Sequence, residues 1–328
     1  FGTDGSDIMN ALRRTAGLAA ILIFGMIVLG GVVRTTNSGL SCPDWPTCYG
    51  YWLPLPSLLE QVPNMGYEYY QVMLEWVHRL IGGVVLGPLT LVVAWLGWRH
   101  RSAHPRIALS AGLMVGLLLV QGLLGGLTVL DRNSPWSVAI HLGNALLLLV
   151  VVIGIHDAAR GRSAAISEAP GWIRPLALLA MVTALLAMMS AAVTAKSGAS
   201  LACSTWPDCG GSFLPDWEDQ LTVVHMIHRY LAAAFALTLI ALLIGCLRDG
   251  RVPHELRRQS MVTAVLVCTQ VMIGALVIMM EVPIWKAVLH QATGVLTFAL
   301  VADLFWRARS VPVGSPTVPG GLRAASLR

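Results

Sequence analysis

Residues 75–98, EWVHRLIGGVVLGPLTLVVAWLGW, carry Glu75, His78 and Arg79 in their first turn and no charged residue from 80 to 98. A helix needs about 20 apolar residues to cross a bilayer core of ~30 Å, so this run reads as a membrane span with a polar head. A second run, HMIHRYLAAAFALTLIALLIGCL at 225–247, repeats the design with His228-Arg229 in place of His78-Arg79. Each head is followed about sixty residues later by a further histidine at the start of an apolar run. These are His141 in AIHLG (139–143) and His290 in VLHQA (288–292).

The whole chain has the same character. Of 328 residues 56% are hydrophobic and 12% charged, with a mean hydropathy of +0.70. That charged share is about half the ~25% of a soluble domain. A soluble helical core of this length would need charged outer faces, which most of these runs lack. Spans are expected at 15–36, 75–98, 107–130, 138–157, 173–195, 222–247, 259–280 and 286–306. Most of the 22 Lys and Arg fall at the amino end, in the even loops or in the tail, including Arg13, Arg14, Arg99, Arg101, Arg160 and Arg248. The odd loops hold few, among them Arg132, Lys196, Lys286 and Arg34. The positive-inside rule then puts both termini in the cytoplasm and the odd loops outside. The net charge of +5 is spread over the chain rather than gathered in one patch, which speaks against a nucleic-acid partner. The first apolar run is too long for a cleavable leader and is expected to stay as a helix.

An internal repeat sets the architecture. The loops SGLSCPDWPTC (38–48) and SGASLACSTWPDC (197–209) share Ser-Gly, two cysteines six apart and an internal Trp-Pro, and a Leu-Pro follows each. The match continues through His78-Arg79 and His228-Arg229, Gln121 and Gln270, Gly125 and Gly274, and His141 and His290, at an offset of 149–150. The expected fold is an all-α polytopic membrane protein: eight transmembrane helices in two tandem four-helix bundles. An even number of spans per unit gives a pseudo-two-fold axis along the membrane normal. The expected division is a 1–14 cytoplasmic tail, a 15–160 amino half, a 161–172 linker, a 173–310 carboxyl half and a 311–328 disordered tail.

The four histidines lie 21, 19, 20 and 17 residues before Arg99, Arg160, Arg248 and Arg307. At 1.5 Å per residue that is ~25–32 Å, so all four sit near one membrane surface at matched depth. Facing imidazoles in a helical bundle can clamp a flat macrocycle, and two such pairs read as two haem sites. A lone interfacial histidine would more simply be satisfied by water or loop carbonyls. A repeated intramembrane pair shifts the balance to ligation. Zinc is the weaker option, since no Cys or carboxylate joins both pairs at ligand spacing. Arg79 and Arg229 can pair with haem propionates or snorkel to headgroups. Glu75 lies one turn from His78 on the same face, either as a proton-handling group or as a solvated residue at the loop–helix junction. Its counterpart in the second copy is His225, which shares a face with His228 and competes with it as ligand.

The Ser38-Gly39 to Cys48 loop, Glu75-x-x-His78-Arg79, His141, His228-Arg229 and His290 together resemble the heme A synthase family over nearly the whole chain. The resemblance implies that His228 and His290 hold a haem b cofactor. It implies that His78 and His141 hold the substrate haem O, and that Glu75 is catalytic. The implied reaction oxidises a porphyrin methyl group to a formyl by successive O2-dependent hydroxylations. An unidentified electron donor is implied with it. Haem O synthase or cytochrome oxidase assembly factors are candidate partners, a homo-oligomer is a further option, and the bacterial plasma membrane is the expected location. A bis-histidine diheme b-type cytochrome is the competing reading, and a thiol oxidoreductase built on the loop cysteines is a third. Glu75 beside one pair only favours the enzyme.

Cys42–Cys48 and Cys203–Cys209 lie in loops assigned to the outside, where disulfides persist. They read as staples first and as a redox relay second. Cys246 and Cys268 are expected to be buried, inert thiols. Trp45, Trp76, Trp206 and Trp217 suit an interfacial belt.

Overall fold

The computed structural model describes residues 3–62, 65–160 and 169–308. The expected disordered tail at 311–328 and positions 161–168 of the expected linker lie outside the described residues. The helices are α1 (Thr3–Thr35), α2 (Pro56–Leu59), α3 (Tyr69–Leu80), α4 (Gly87–Arg99), α5 (Pro105–Leu130), α6 (Pro135–Ala159), α7 (Ile173–Lys196), α8 (Gln220–Arg248), α9 (His254–Met279) and α10 (Ile284–Arg307). A π-helical segment, Ile81–Leu86, joins α3 to α4. Eight spans are long and apolar enough to cross a membrane, with Tyr69–Arg99 counting as one, and no strand occurs among the described residues.

The helices run past the expected span limits. α1 begins at Thr3, so most of the expected tail at 1–14 is helix, and α3 begins at Tyr69 rather than 75. Counting apolar residues stops at the first charge, whereas a helix continues until something caps it. The caps are visible. Asp219 accepts the Leu221 N–H at 3.0 Å, Ser134 Oγ accepts the Ser137 N–H at 3.2 Å, and Glu68 and Gln71 form a capping box. Each such cap contributes ~1 kcal/mol. Pro105 and Pro135 open α5 and α6, where a missing N–H costs nothing.

α6 lies at the centre, against α1, α5, α7 and α10. Its Leu146, Leu149, Val152 and Ile155 are buried, as expected for a helix apolar on every side. α1 and α7 each pack on both α6 and α10. The α6–α10 crossing is close because Gly154 has no side chain: a Cβ there would lie 2.6 Å from the Trp306 indole. The same indole donates its N–H to Val150 O at 2.8 Å.

The sequence repeat reappears in backbone detail. The α5–α6 turn puts Arg132 and Asn133 at φ 51° and 53°, and the α9–α10 turn puts Glu281 and Val282 at 57° each. A β-branched residue rarely adopts that region. At Val282 it closes the turn, whose N–H reaches Val277 O at 2.8 Å as that of Asn133 reaches Thr128 O at 2.7 Å. One difference is also coded. The π-helical segment contains Gly82-Gly83 and runs into Gly87-Pro88, where Pro88 has no N–H to offer. The aligned stretch of α8 has Ala232-Ala233 and Leu237-Thr238 and stays α-helical.

Candidate functional site

Two disulfide loops close one end of the helices. Cys42–Cys48 and Cys203–Cys209 are both bonded, each with Cα atoms 4.7 Å apart. Each loop contains a cis Trp-Pro bond. In the first, the Asp44 carboxylate accepts from the Thr47 hydroxyl, from Tyr49 N–H at 2.6 Å and from Gly50 N–H at 3.0 Å. Partial burial works against ionisation of Asp44, and these donors outweigh it, holding the carboxyl below the usual carboxylate range. The second loop makes the same kind of turn with the residue types exchanged. Thr205 Oγ1 donates to Asp208 at 2.6 Å and accepts the Gly210 N–H at 2.7 Å.

Glu75 on α3 fastens the first loop. It is 4% exposed, so the solvated reading does not hold. Its Oε2 accepts from Cys42 N–H at 2.8 Å and Ser41 Oγ at 3.0 Å, and its Oε1 accepts from Arg79 at 2.6 Å. Arg79 spends its remaining reach on loop carbonyls: Asp44 O at 2.6 Å, Thr47 O at 2.7 Å and Cys42 O at 3.1 Å. Arg229 does likewise with Pro207 O at 3.3 Å, Asp208 O, and Cys203 O at 3.1 Å. The terminal nitrogens of Arg79 and Arg229 are directed at the carbonyls of their own loops.

His225 stands where Glu75 stands. It is 2% exposed, and its Nδ1 lies 2.8 Å from Ala199 O in the second loop. A carbonyl can only accept, so this closer contact calls for the proton on Nδ1, against the longer approach of the Cys203 N–H to the same nitrogen at 3.4 Å. His225 is thus engaged by the loop.

His228 is held from α7 instead, with Nδ1 at 3.1 Å from Ala187 O and 3.2 Å from Ser190 Oγ. The carbonyl again fixes the proton on Nδ1 and leaves the Nε2 lone pair available, which is how metal-ligating histidines are usually held. His290 on α10 lies within electrostatic range of His228, and His141 on α6 within range of His78. His78 Nδ1 and His290 Nδ1 are buried with no hydrogen-bond partner among the described residues. Glycines seat three of the rings. A Cβ at Gly30 would lie 3.3 Å from His78, one at Gly125 3.5 Å from His141, and one at Gly274 2.9 Å from His290. Two half-buried imidazole pairs with glycine clearance fit axial ligation of a planar macrocycle. Among the described residues no three His, Cys, Asp or Glu side chains converge as metal-ion ligands.

Amides complete each pair. Gln121 Nε2 lies 3.1 Å from His141 Nε2 and 3.3 Å from its Nδ1, while Gln121 Oε1 accepts from Asn144 at 2.7 Å. Gln270 Nε2 donates to His290 O at 2.8 Å and lies 3.4 Å from His290 Nε2, while its Oε1 accepts from Thr293. Gln121 and Gln270 are landmarks of the sequence repeat, but their contacts with the histidines are not legible there. Asn144 and Thr293 are missed altogether, although each sits three residues after the histidine of its own copy. Trp45 reaches down from its loop onto α5, where a Cβ at Gly126 would meet its ring at 3.2 Å. Of the two free cysteines, Cys246 is buried as expected and Cys268 is exposed on α9, because that helix turns part of its apolar surface outward.

A family model described as cytochrome oxidase assembly protein, COX15-CtaA, matches residues 13–302. The chain belongs to this family. Curated relatives named heme A synthase include one from Methylorubrum populi, 29% identical over 97% of this chain and 93% of its own. One from a Caulobacter strain is 28% identical over 89% and 94%, and one from Shouchella clausii is 27% identical over 82% and 87%. The family match spans Glu75, both histidine pairs, both loops and both glutamines. The apolar spans and this membership make the chain a multi-pass membrane protein.

Proposed function

We propose that the chain is a heme A synthase that converts the methyl group of haem O to a formyl group. The observation that carries the reading is an asymmetry within a repeat. Matched histidine pairs lie beneath matched loops, and the residue one turn from the first histidine is Glu75 in one copy and His225 in the other. The amino-half pair, His78 and His141, holds haem O. The carboxyl-half pair, His228 and His290, holds haem b, which supplies a one-electron redox centre. The distribution of Lys and Arg supports a cytoplasmic location for both termini and an outer location for the loops. The tandem-bundle reading rests on the matched turns, loops and His–Gln contacts.

Each hydroxylation takes up one O2, two electrons and two protons and releases one water. Two on the same carbon give a geminal diol, which loses a further water to leave the aldehyde. The electrons come from a donor outside this chain. Glu75 is the acid–base group nearest His78 along α3, and Ser41 links it by hydrogen bond to the loop. In this reading Glu75 passes protons between the loop side and the substrate pair.

The test is pigment extraction and mass analysis of purified wild type and Glu75→Ala. Haem b together with haem O, haem A or a hydroxylated intermediate in the wild type, with haem A lost and haem b retained in the variant, is expected. Two haem b per chain in both proteins would instead leave a diheme cytochrome.

A further inference from the structure

Two cations at the loop end of the helices lie between the two copies of the repeat. Arg34 is on the last turn of α1 and Lys196 is the last residue of α7. They are close enough for their charges to repel. Both are partly buried. The ion pairs among the described residues join Arg79 to Glu75, Arg251 to Asp249, and Arg307 to Glu255 and Asp303. Neither Arg34 nor Lys196 belongs to one. Two like charges near the membrane with no acid beside them are unfavourable unless an anion joins them.

Arg34 is also aimed. It donates to Gln291 Oε1 at 3.0 Å, and Gln291 Nε2 donates to Ile27 O at 2.7 Å. Gln291 fits only because residue 31 is glycine: a Cβ there would lie 2.5 Å from its amide oxygen. Gln291 directly follows His290, so this strap ties a cation of the amino half to the chain neighbour of a histidine in the carboxyl half. Lys286, one turn before His290, is turned away to Met280 Sδ and the Trp285 ring. Arg229 is committed to loop carbonyls.

We propose that Arg34 and Lys196 together receive the carboxylates of the macrocycle held by His228 and His290, so that the carboxyl-half site is completed by the amino half. The proposal rests on the reading of that pair as the haem b site. It also accounts for which site keeps its occupant. Aligning Ser38-Gly39 with Ser197-Gly198 sets Arg34 against Val193 and Lys196 against Asn37. The cations therefore serve one site only. A resident cofactor gains from that anchoring, whereas a substrate that must leave as product does not.

The experiment uses the full chain purified with its native pigment, in Arg34→Gln, Arg34→Lys, Lys196→Gln, Gln291→Ala and His290→Ala forms. Haem b content is read by haemochrome assay and its midpoint potential by redox titration. A nearby positive charge favours the reduced iron. Arg34→Gln and Lys196→Gln should each lower the midpoint and release haem b, Arg34→Lys should restore the midpoint, and Gln291→Ala, which loosens Arg34 but keeps its charge, should shift it by less than Arg34→Gln does. Unchanged haem content and midpoint in both glutamine variants, whatever happens to bound lipid phosphate, overturns the proposal. So does a Gln291→Ala shift as large as that of Arg34→Gln, which would reduce Arg34 to a packing role. Should Arg34→Gln not fold, Lys196→Gln decides alone. Retention of haem b by His290→Ala would instead defeat the underlying site reading.

Discussion

Glu75 and Arg79, one turn apart on α3, form a 2.6 Å ion pair in which both side chains also bind the disulfide loop. The pair is nearly closed to solvent, at 5% and 14% side-chain exposure. Removing one member leaves the other charge buried and unpaired, which costs ~3–5 kcal/mol. Arg79→Ala should therefore destabilise the amino-half loop more than loss of the Cys42–Cys48 bond itself, a small ring worth ~2 kcal/mol. Denaturant unfolding in detergent, with protease sensitivity of residues 38–50, measures both. An Arg79→Ala protein as stable as wild type would mean that the latch contributes nothing.

The Asp44 turn makes the same loop sensitive to acid. The folded-state value of Asp44 is depressed, so its contribution is present above the ordinary carboxylate range near ~3.9 and is lost as pH falls through the lower folded value. Hydrogen exchange at Tyr49 and Gly50 should rise sharply over that window after correction for intrinsic rates. Asp44→Asn should be loosened at every pH and show no such step. A wild-type loop equally protected on both sides of the window would remove Asp44 as its organiser.

The two histidine pairs should separate by pigment. His228→Ala and His290→Ala should lose haem b. His78→Ala and His141→Ala should keep haem b while failing to turn over haem O. His225→Ala should keep both pigments and loosen the second loop, since its ring is held by Ala199 O at 2.8 Å. Loss of haem b in His225→Ala, with its retention in His228→Ala, would reverse the assignment.

The α6–α10 crossing offers a test of the core. With a Cβ at Gly154 only 2.6 Å from the Trp306 ring, Gly154→Leu forces the helices apart. Overpacking of this kind costs ~1–3 kcal/mol. A lowered thermal midpoint in detergent is expected, with partial relief in the Gly154→Leu, Trp306→Ala double variant.

The spans and the histidine pairs were legible because they obey counting rules: length against bilayer thickness, and a fixed offset between two copies. What the side chains of Glu75, Arg79 and Arg229 touch was not legible. Placing a carboxylate one turn from a ligand says which helix face it is on, but not whether a neighbouring loop folds down to meet it. Between His225 and His228, which share a helix face, the repeat alignment through the following Arg favours His228. What holds the two rings apart, the Ala199 and Ala187 carbonyls, is distant in sequence and was not legible. The π-helical segment was within reach, since Gly82-Gly83 and Gly87-Pro88 have no counterpart in α8.

Gln121 and Gln270 carry the remaining prediction. Gln121 is oriented by Asn144, which holds its Oε1 at 2.7 Å and so turns its NH2 toward His141. Gln270 is oriented by Thr293 and bonds the His290 carbonyl at 2.8 Å. Partners that orient a ligating histidine typically change affinity by about 10–100-fold when removed. Gln121→Leu should weaken haem O binding by about that factor and leave haem b untouched, and Gln270→Leu should do the reverse. Spectral titration of each variant with haem O, alongside its haem b content, reads both effects. If Gln121→Leu disturbed both pigments equally, the glutamine would be a packing element of the whole bundle. An effect confined to one pigment identifies it as a positioning residue of one site.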